Sequence, residues 1–308
     1  MLTVILGLTS AFCGGAADFL GGIASKRINS MVVTLLAALG GLAVLLVASL
    51  FVAGTFSTDA VLWGAVSGAC AAVGLALLYG CLAIGPMSVL SPIAAVIGAA
   101  VPMFGGMLAG ERLGPVGYVA LFVALVAIAL VAFTPEKDAA RASLRGLLMA
   151  IGAGVSLGAF LIALDFAPAD SGLIPLVANR IGNALTMTAL IVAIVLVPRW
   201  TRSRRQQALV TTGSLPLLRA AEGPGRGAAF FRGPIALGLA TGVIDGAGNI
   251  ALLAGIRMGD LTVMSVLTGL YPAGTIILAA VLLRERILRV QMIGLVLALA
   301  AAVMFAIG

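Results

Sequence analysis

Long apolar runs separated by short polar breaks fill most of the chain. They predict helices over 2–25, 31–53, 60–84, 87–109, 115–133, 146–167, 172–197, 235–257, 260–283 and 289–307. A helix that crosses hydrocarbon needs about 20 mostly apolar residues. Only helices and closed barrels satisfy their backbone in lipid, and these runs are too long for barrel strands. The polar link 134–145 (TPEKDAARASLR) divides the runs into two groups of five. An odd number of crossings per group forces the second group to enter the membrane in the opposite sense. The predicted fold is therefore all-α and integral to a membrane, with ten transmembrane helices as two inverted five-helix repeats. Residues 1–133 form the first repeat and 146–308 the second, which carries a long basic loop at 198–234.

The two groups repeat each other. Gly85-Pro-Met-Ser-Val-Leu-Ser91 leads through an apolar run to Glu111-Arg112-Leu113, and Gly259-Asp-Leu-Thr-Val-Met-Ser265 leads likewise to Glu285-Arg286-Ile287. The offset is 174 residues from Gly85 to Gly259 and again from Glu111 to Glu285. It also carries Gly64 onto Gly238, Gly68 onto Gly242 and Ala72 onto Gly246. Small residues one turn apart line one helix face and let another helix approach closely. Earlier in each group the offset is 139, which carries Gly7 onto Gly146 and Gly15 onto Gly154. The loop 198–234, against only 54–59 in the first group, accounts for the difference.

Composition narrows the function classes. The chain is 62% hydrophobic and 9% charged, where soluble domains carry about 25% charged residues. Its net charge of +7 belongs to loops at a membrane face, with no nucleic-acid partner implied. Histidine is absent, which removes histidine catalysis, ligation and proton relay. Cys13, Cys70 and Cys81 lie inside apolar runs at no metal-like spacing, so neither a metal nor a cofactor is expected. The first run, with no basic stretch before it, is read as a retained helix. Fifteen basic residues fall in loops of one face and only Arg112 and Arg257 at the other, which by the positive-inside rule puts both termini outside.

The helix ends Met107-Leu-Ala-Gly-Glu111-Arg112-Leu113 and Val281-Leu-Leu-Arg-Glu285-Arg286-Ile287, Tyr271-Pro272 thirteen residues before Glu285, and Gln291-Met-Ile-Gly294 opening the last helix resemble the EamA-like family of the drug/metabolite transporter superfamily. The first-helix stretch Gly14-Gly-Ala-Ala-Asp18-Phe-Leu-Gly-Gly22 is similar more loosely. The likeness covers nearly the whole chain outside 198–234. It implies export of metabolites or drugs, without choosing a substrate, and both termini cytoplasmic, against the charge count. One departure is Gly98, where the offset of 174 asks for a counterpart to Pro272.

Ionisable groups inside membrane helices are costly and by default mark function. Asp18, Arg180 and Asp245 are the clear cases. At ~1.5 Å of rise per residue, Arg180 and Asp245 fall at nearly the same depth, within reach of one another. Arg180 is expected to hold an anionic substrate group, with Asn183, Asn249, Tyr79 and Tyr271 as further substrate-binding groups. Asp18 and Asp245 are the proton-coupling candidates, and Pro272 is a helix break that frees a backbone carbonyl. Glu111 and Glu285 are expected to close helix ends against Arg112, Arg284 and Arg286. Thr262, Ser265 and Thr268 are expected to bond back to their own helix.

These features predict a secondary active transporter in the plasma (inner) membrane, moving a small organic metabolite or drug-like compound by alternating access, with proton-coupled efflux. Its partners are that small molecule and membrane lipid. The alternatives are a channel, which would show acidic rings at its mouths, and a flippase for a lipid-linked substrate. An enzyme is not expected, because no nucleophile stands beside a base.

Overall fold

The computed structural model describes residues 1–25, 28, 30–84, 87–133, 143–196, 233–284 and 287–307. Glu285, Arg286, the side chain of Tyr79 and most of the link and of the basic loop lie outside them. The described elements are helices: α1 (Leu2–Ser25), α2 (Ser30–Ser49), α3 (Thr58–Ile84), α4 (Met87–Leu108), α5 (Pro115–Ala132), α6 (Leu144–Asp165), α7 (Ile174–Leu196), α8 (Pro234–Met258), α9 (Leu261–Thr268), α10 (Tyr271–Leu282) and α11 (Arg289–Ile307), with a 3-10 turn at Ala169–Ser171. Among the described residues, eight segments are long and apolar enough to cross a membrane, α9 and α10 forming one of them as Leu261–Leu282, and α2 adds the shorter apolar helix Val33–Ser49.

Two predicted helices differ from the observed ones. The run 31–53 stops at Ser49 because the chain beyond it packs on the loop after α6. There Thr55 donates its N–H to the Asp170 carbonyl at 2.9 Å. Gly54 lies so close that a methyl on it would sit 2.7 Å from the Gly172 nitrogen. The run 260–283 is two helices, not one, divided at Gly269-Leu270. Pro272 occupies the first turn of α10 and has no N–H for the Thr268 carbonyl, so the α9 ladder ends just before it. Gly269 and Leu270 turn their N–H groups back to Ser265 and Leu267. Pro92 and Pro102 lie inside α4 without dividing it.

The packing follows the sequence repeat. Helix α3 lies along α6 and α7, while α8 lies along α1 and α2. Helix α4 packs on α6, α10 on α1, and α5 on α11. Swapping each first-half helix for its second-half counterpart returns the same pairings. The agreement reaches single residues: a methyl on Gly15 would meet the Tyr271 carbonyl, and one on Gly154 would meet Ile97, 174 positions before Tyr271. The small-residue rows are the contact surfaces. Gly64 and Gly68 press on the backbone of α7 at Pro175 and Asn179, and Gly238 and Gly242 press on α2 at Leu36 and Ala37.

Helix α9 lies deepest, with Leu261 to Leu267 all buried. One apolar cluster joins its Val266 and Leu267 to Leu121, Ile128 and Ala301 of α5 and α11. A second joins its Met264 to Leu45, Leu164, Leu176 and Leu253. Large apolar side chains such as Leu2, Ile5, Phe122, Leu185 and Leu299 face outward. Acyl chains are the medium that accepts such a surface.

Candidate functional site

The site forms where α1, α7 and α8 meet. Helices α1 and α8 run antiparallel: Gly21 lies against Thr241, and Cys13 lies against Gly248. Asp18 and Asp245 fall midway between those two contacts and therefore share a level. The Asp245 charge acts on both Asp18 and Cys13. From α7, Arg180 donates through Nη2 to Asp245 Oδ2 and forms an ion pair with it. The depth expected from the sequence thus corresponds to a direct contact. The anionic group that the guanidinium holds is the protein's own Asp245.

Arg180 packs on its own repeat counterpart. Its counterpart at the offset of 139 is Gly41 of α2, and the two touch: a methyl on Gly41 would sit 3.1 Å from Arg180 Nε. Nε is buried and makes no hydrogen bond. The side chain of Arg180 is 14% exposed, against 34% for Asp245. Asp18 keeps an exposed surface. It also lies ~120° around α1 from the outward-facing Phe12, so it does not share the lipid-facing stripe. Among the described residues Asp18 has no ion-pair partner. Leu157, its counterpart at the offset of 139, packs on Gly74, so the carboxylate has no charged counterpart.

The other expected residues divide. Asn249 donates to the Asp245 carbonyl at 2.8 Å, one turn back on α8. Asn179 points away, to Ser67 Oγ of α3 at 2.7 Å. Asn183 is half-buried beside it, its backbone nitrogen under Gly68. Tyr271 opens α10 against Gly14 and Gly15, one turn along α1 from Asp18. Thr275, which the sequence reading passed over, donates to the Gly15 carbonyl at 3.1 Å and ties α10 to α1. A hydroxyl facing a glycine-rich stretch at the repeat offset was the signal available for it.

Glu111 does close a helix end, but not against arginine. Its Oε1 accepts from Leu261 N–H at 2.7 Å and its Oε2 from Thr262 N–H at 2.8 Å, capping α9 from the other half of the chain. The cause is local. Gly110 takes φ +103, and Glu111 N–H and Gly110 N–H bond back to Gly106 and Met107, a Schellman end that turns the carboxylate inward. Gly106 leaves it room, since a methyl there would overlap Oε2. Arg284, which the offset of 174 places opposite Gly110, keeps the left-handed turn at φ 57. Thr262 bonds to the Met103 carbonyl of α4 at 3.2 Å, not to its own helix, and Thr268 Oγ1 is buried without a partner. Ser265 bonds back to Thr262 as expected.

Arg257 ends α8 by holding the carbonyls of Gly172 and Pro168 and the hydroxyl of Ser171. Asp260, in the turn between α8 and α9, titrates above its ordinary value of 3.8, through burial first and the nearby Glu111 second. A carboxyl so raised favours the fold below its ordinary value, and that contribution is lost as pH rises through the raised one. Glu111→Ala should leave two α9 N–H groups without an acceptor and cost about 2 kcal/mol, while narrowing that acid window. Thermal unfolding in detergent at two pH values measures both, and an unchanged melting temperature would discount the clamp.

These features define a multi-pass membrane protein built from a repeated helix bundle, with a cluster of charged groups where α1, α7 and α8 meet. The model of the EamA-like transporter family matches residues 144–307, more than half of the chain, and the chain belongs to that family of membrane transporters. No curated protein matches it significantly in sequence. One solved crystal structure superposes with a TM-score of 0.62 at 18% identity, covering 99% of this chain and 96% of the other. At that identity the likeness establishes the shared fold.

Proposed function

We propose that the protein is a secondary active transporter of the plasma (inner) membrane, exporting a small organic metabolite or drug-like compound by proton-coupled alternating access. The two halves, 1–133 and 146–308, act as inverted five-helix repeats that rock about the pocket between them. The observation that carries this is the charged cluster: Arg180, from the second helix of its half, meets Asp245, and Asp18 lies at the same level. The exchange of helix pairings between halves supports the inverted frame. The break at Gly269-Leu270, about two turns along α1 from the level of Asp18, supports a site inside the membrane, where transporters place interrupted helices. In this reading Asn183, Asn249, Tyr271 and Tyr79 line the path of the substrate, and Asp18 exchanges the proton. Among the described residues no acidic ring accompanies Asp18, so a channel is the weaker alternative.

The test is uptake in proteoliposomes under an imposed pH gradient, with a mixed pool of labelled amines, amino acids and nucleosides. Accumulation that collapses with a protonophore and is lost in Asp18→Asn is the expected result. Accumulation at the full rate in Asp18→Asn would remove the proton role.

A further inference from the structure

We infer that the pocket is built for an organic cation, a compound bearing an ammonium or similar positive group, which competes with the proton for Asp18. The inference rests on the transporter reading above and names its substrate class.

The first ground is the charge count. Among the described residues, the charged groups that meet here are Asp18 from α1, Asp245 from α8 and Arg180 from α7, with the thiol of Cys13 nearby and Tyr271 one turn along α1 from Asp18. The guanidinium and one carboxylate neutralise each other in the ion pair. The second carboxylate is left over, so an ionised pocket carries one excess negative charge. An anionic substrate would add a second like charge in a medium of low dielectric, where such a pairing is strongly unfavourable. A monovalent cation, or a proton, brings the pocket to neutrality.

The second ground is which charges a ligand can reach. Both carboxylates are open: Asp18 is exposed, and Asp245 retains 34% of its side-chain surface. Arg180 retains 14%, its Nη2 is taken by Asp245, and its unbonded Nε is pressed under Gly41 of α2. A carboxylate entering the pocket would find the guanidinium covered and two like charges uncovered. An ammonium would find an acceptor without any rearrangement of the ion pair. Arg180 is then a positioning residue that fixes Asp245, and Asp18 is the residue that meets the cargo.

The third ground is exchange stoichiometry. With one uncommitted carboxylate, the pocket holds either one proton or one monovalent cation at neutrality. Each half-cycle then moves a neutral pocket, so export of one cation returns one proton.

The experiment uses the purified full chain in detergent and dicyclohexylcarbodiimide, which modifies carboxyl groups in enclosed apolar surroundings, with modification at Asp18 read by peptide mass spectrometry. The probes are three compounds on one frame that do not form stable products with the carbodiimide: N,N-dimethylphenethylamine as the cation, 2-phenylethanesulfonate as the anion and 2-phenylethanol as the neutral form. N,N-dimethylphenethylamine should slow modification at Asp18 about tenfold at a concentration where the anion and the alcohol leave it unchanged. Protection by 2-phenylethanesulfonate, equal protection by all three, or protection by none would overturn the inference, as would failure of Asp18 to react at all. Asp18→Asn should abolish the labelled peptide, and if that variant does not fold, competition on the unaltered chain decides alone. Transport is scored separately in proteoliposomes. Protection by the amine without gradient-driven movement keeps the charge assignment and defeats the transporter reading. Movement of an anion without amine protection does the reverse.

Discussion

Replacing Gly242 with alanine should leave little folded protein. A methyl at that position would overlap the Ala37 carbonyl oxygen and lie 2.7 Å from the Gly41 nitrogen. Both obstacles are backbone, so no rotamer change relieves them, and α8 would have to move bodily away from α2. Overpacking that side chains can absorb costs about 1–3 kcal/mol, and a clash of two backbones exceeds that range. In lipid the helices are held by packing itself, because acyl chains are as apolar as the side chains they would replace. The loss would reach the pocket too, because Gly41 also lies against Arg180. Gly68→Ala should behave the same way, since its methyl would overlap the Asn179 carbonyl oxygen of α7. Gly14→Ala is the control: the nearest atom, Tyr271 Cβ, would be at 3.5 Å, an ordinary contact, and alanine is the better helix former by about 1 kcal/mol. Size-exclusion profiles and thermal unfolding in detergent check the series. A Gly242→Ala protein that melts with the unaltered chain would show that the rows do not set the helix spacing.

How much of this was legible in the sequence depends on whether the cause was local. The apolar runs were, because hydrocarbon thickness imposes a length that composition alone reveals. The glycine rows were as well, because a constant offset made each row a check on the other. The pairing of Arg180 with Asp245 was partly legible: depth can be counted along a helix, but which faces turn toward each other depends on how α7 and α8 both pack around α2 and α3. The clamp at Glu111 was hidden for the same reason. Its acceptors point at residues 150 positions away, and nearby arginines were the only partners that local sequence could offer. The break in the ninth crossing was announced by Pro272, but its place was not. Proline ends the ladder in the turn before it, so the division falls at Gly269-Leu270. The ion pair was within the reach that the sequence allowed, and the structure shows that the two side chains meet.

Asp245→Asn should abolish gradient-driven uptake and lower stability at the same time. Asparagine keeps the shape of the carboxylate but not its charge, so Arg180, 14% exposed and with Nε already unpartnered, would be left without a counter-ion. Removing one member of a buried pair costs about 3–5 kcal/mol, and the partial exposure of Asp245 should place this case near the lower end. Arg180→Gln should do similar damage from the other side by leaving Asp245 unpaired beside Asp18. The informative protein is the double variant Arg180→Gln with Asp245→Asn. Two neutral amides in that space strand no charge, so melting temperature should recover most of what either single change lost. Residues in one ion pair couple by about 0.5–3 kcal/mol, which a double-mutant cycle resolves. Uptake should not recover with stability. Without the pair, Asp245 no longer supplies a fixed, half-open carboxylate opposite Asp18, and α7 and α8 lose the contact that orders the pocket. Strictly additive stability losses would mean that the pair seen between α7 and α8 does not exist in the membrane. Full uptake in the double variant would mean that the pair holds the bundle together and takes no part in moving the substrate.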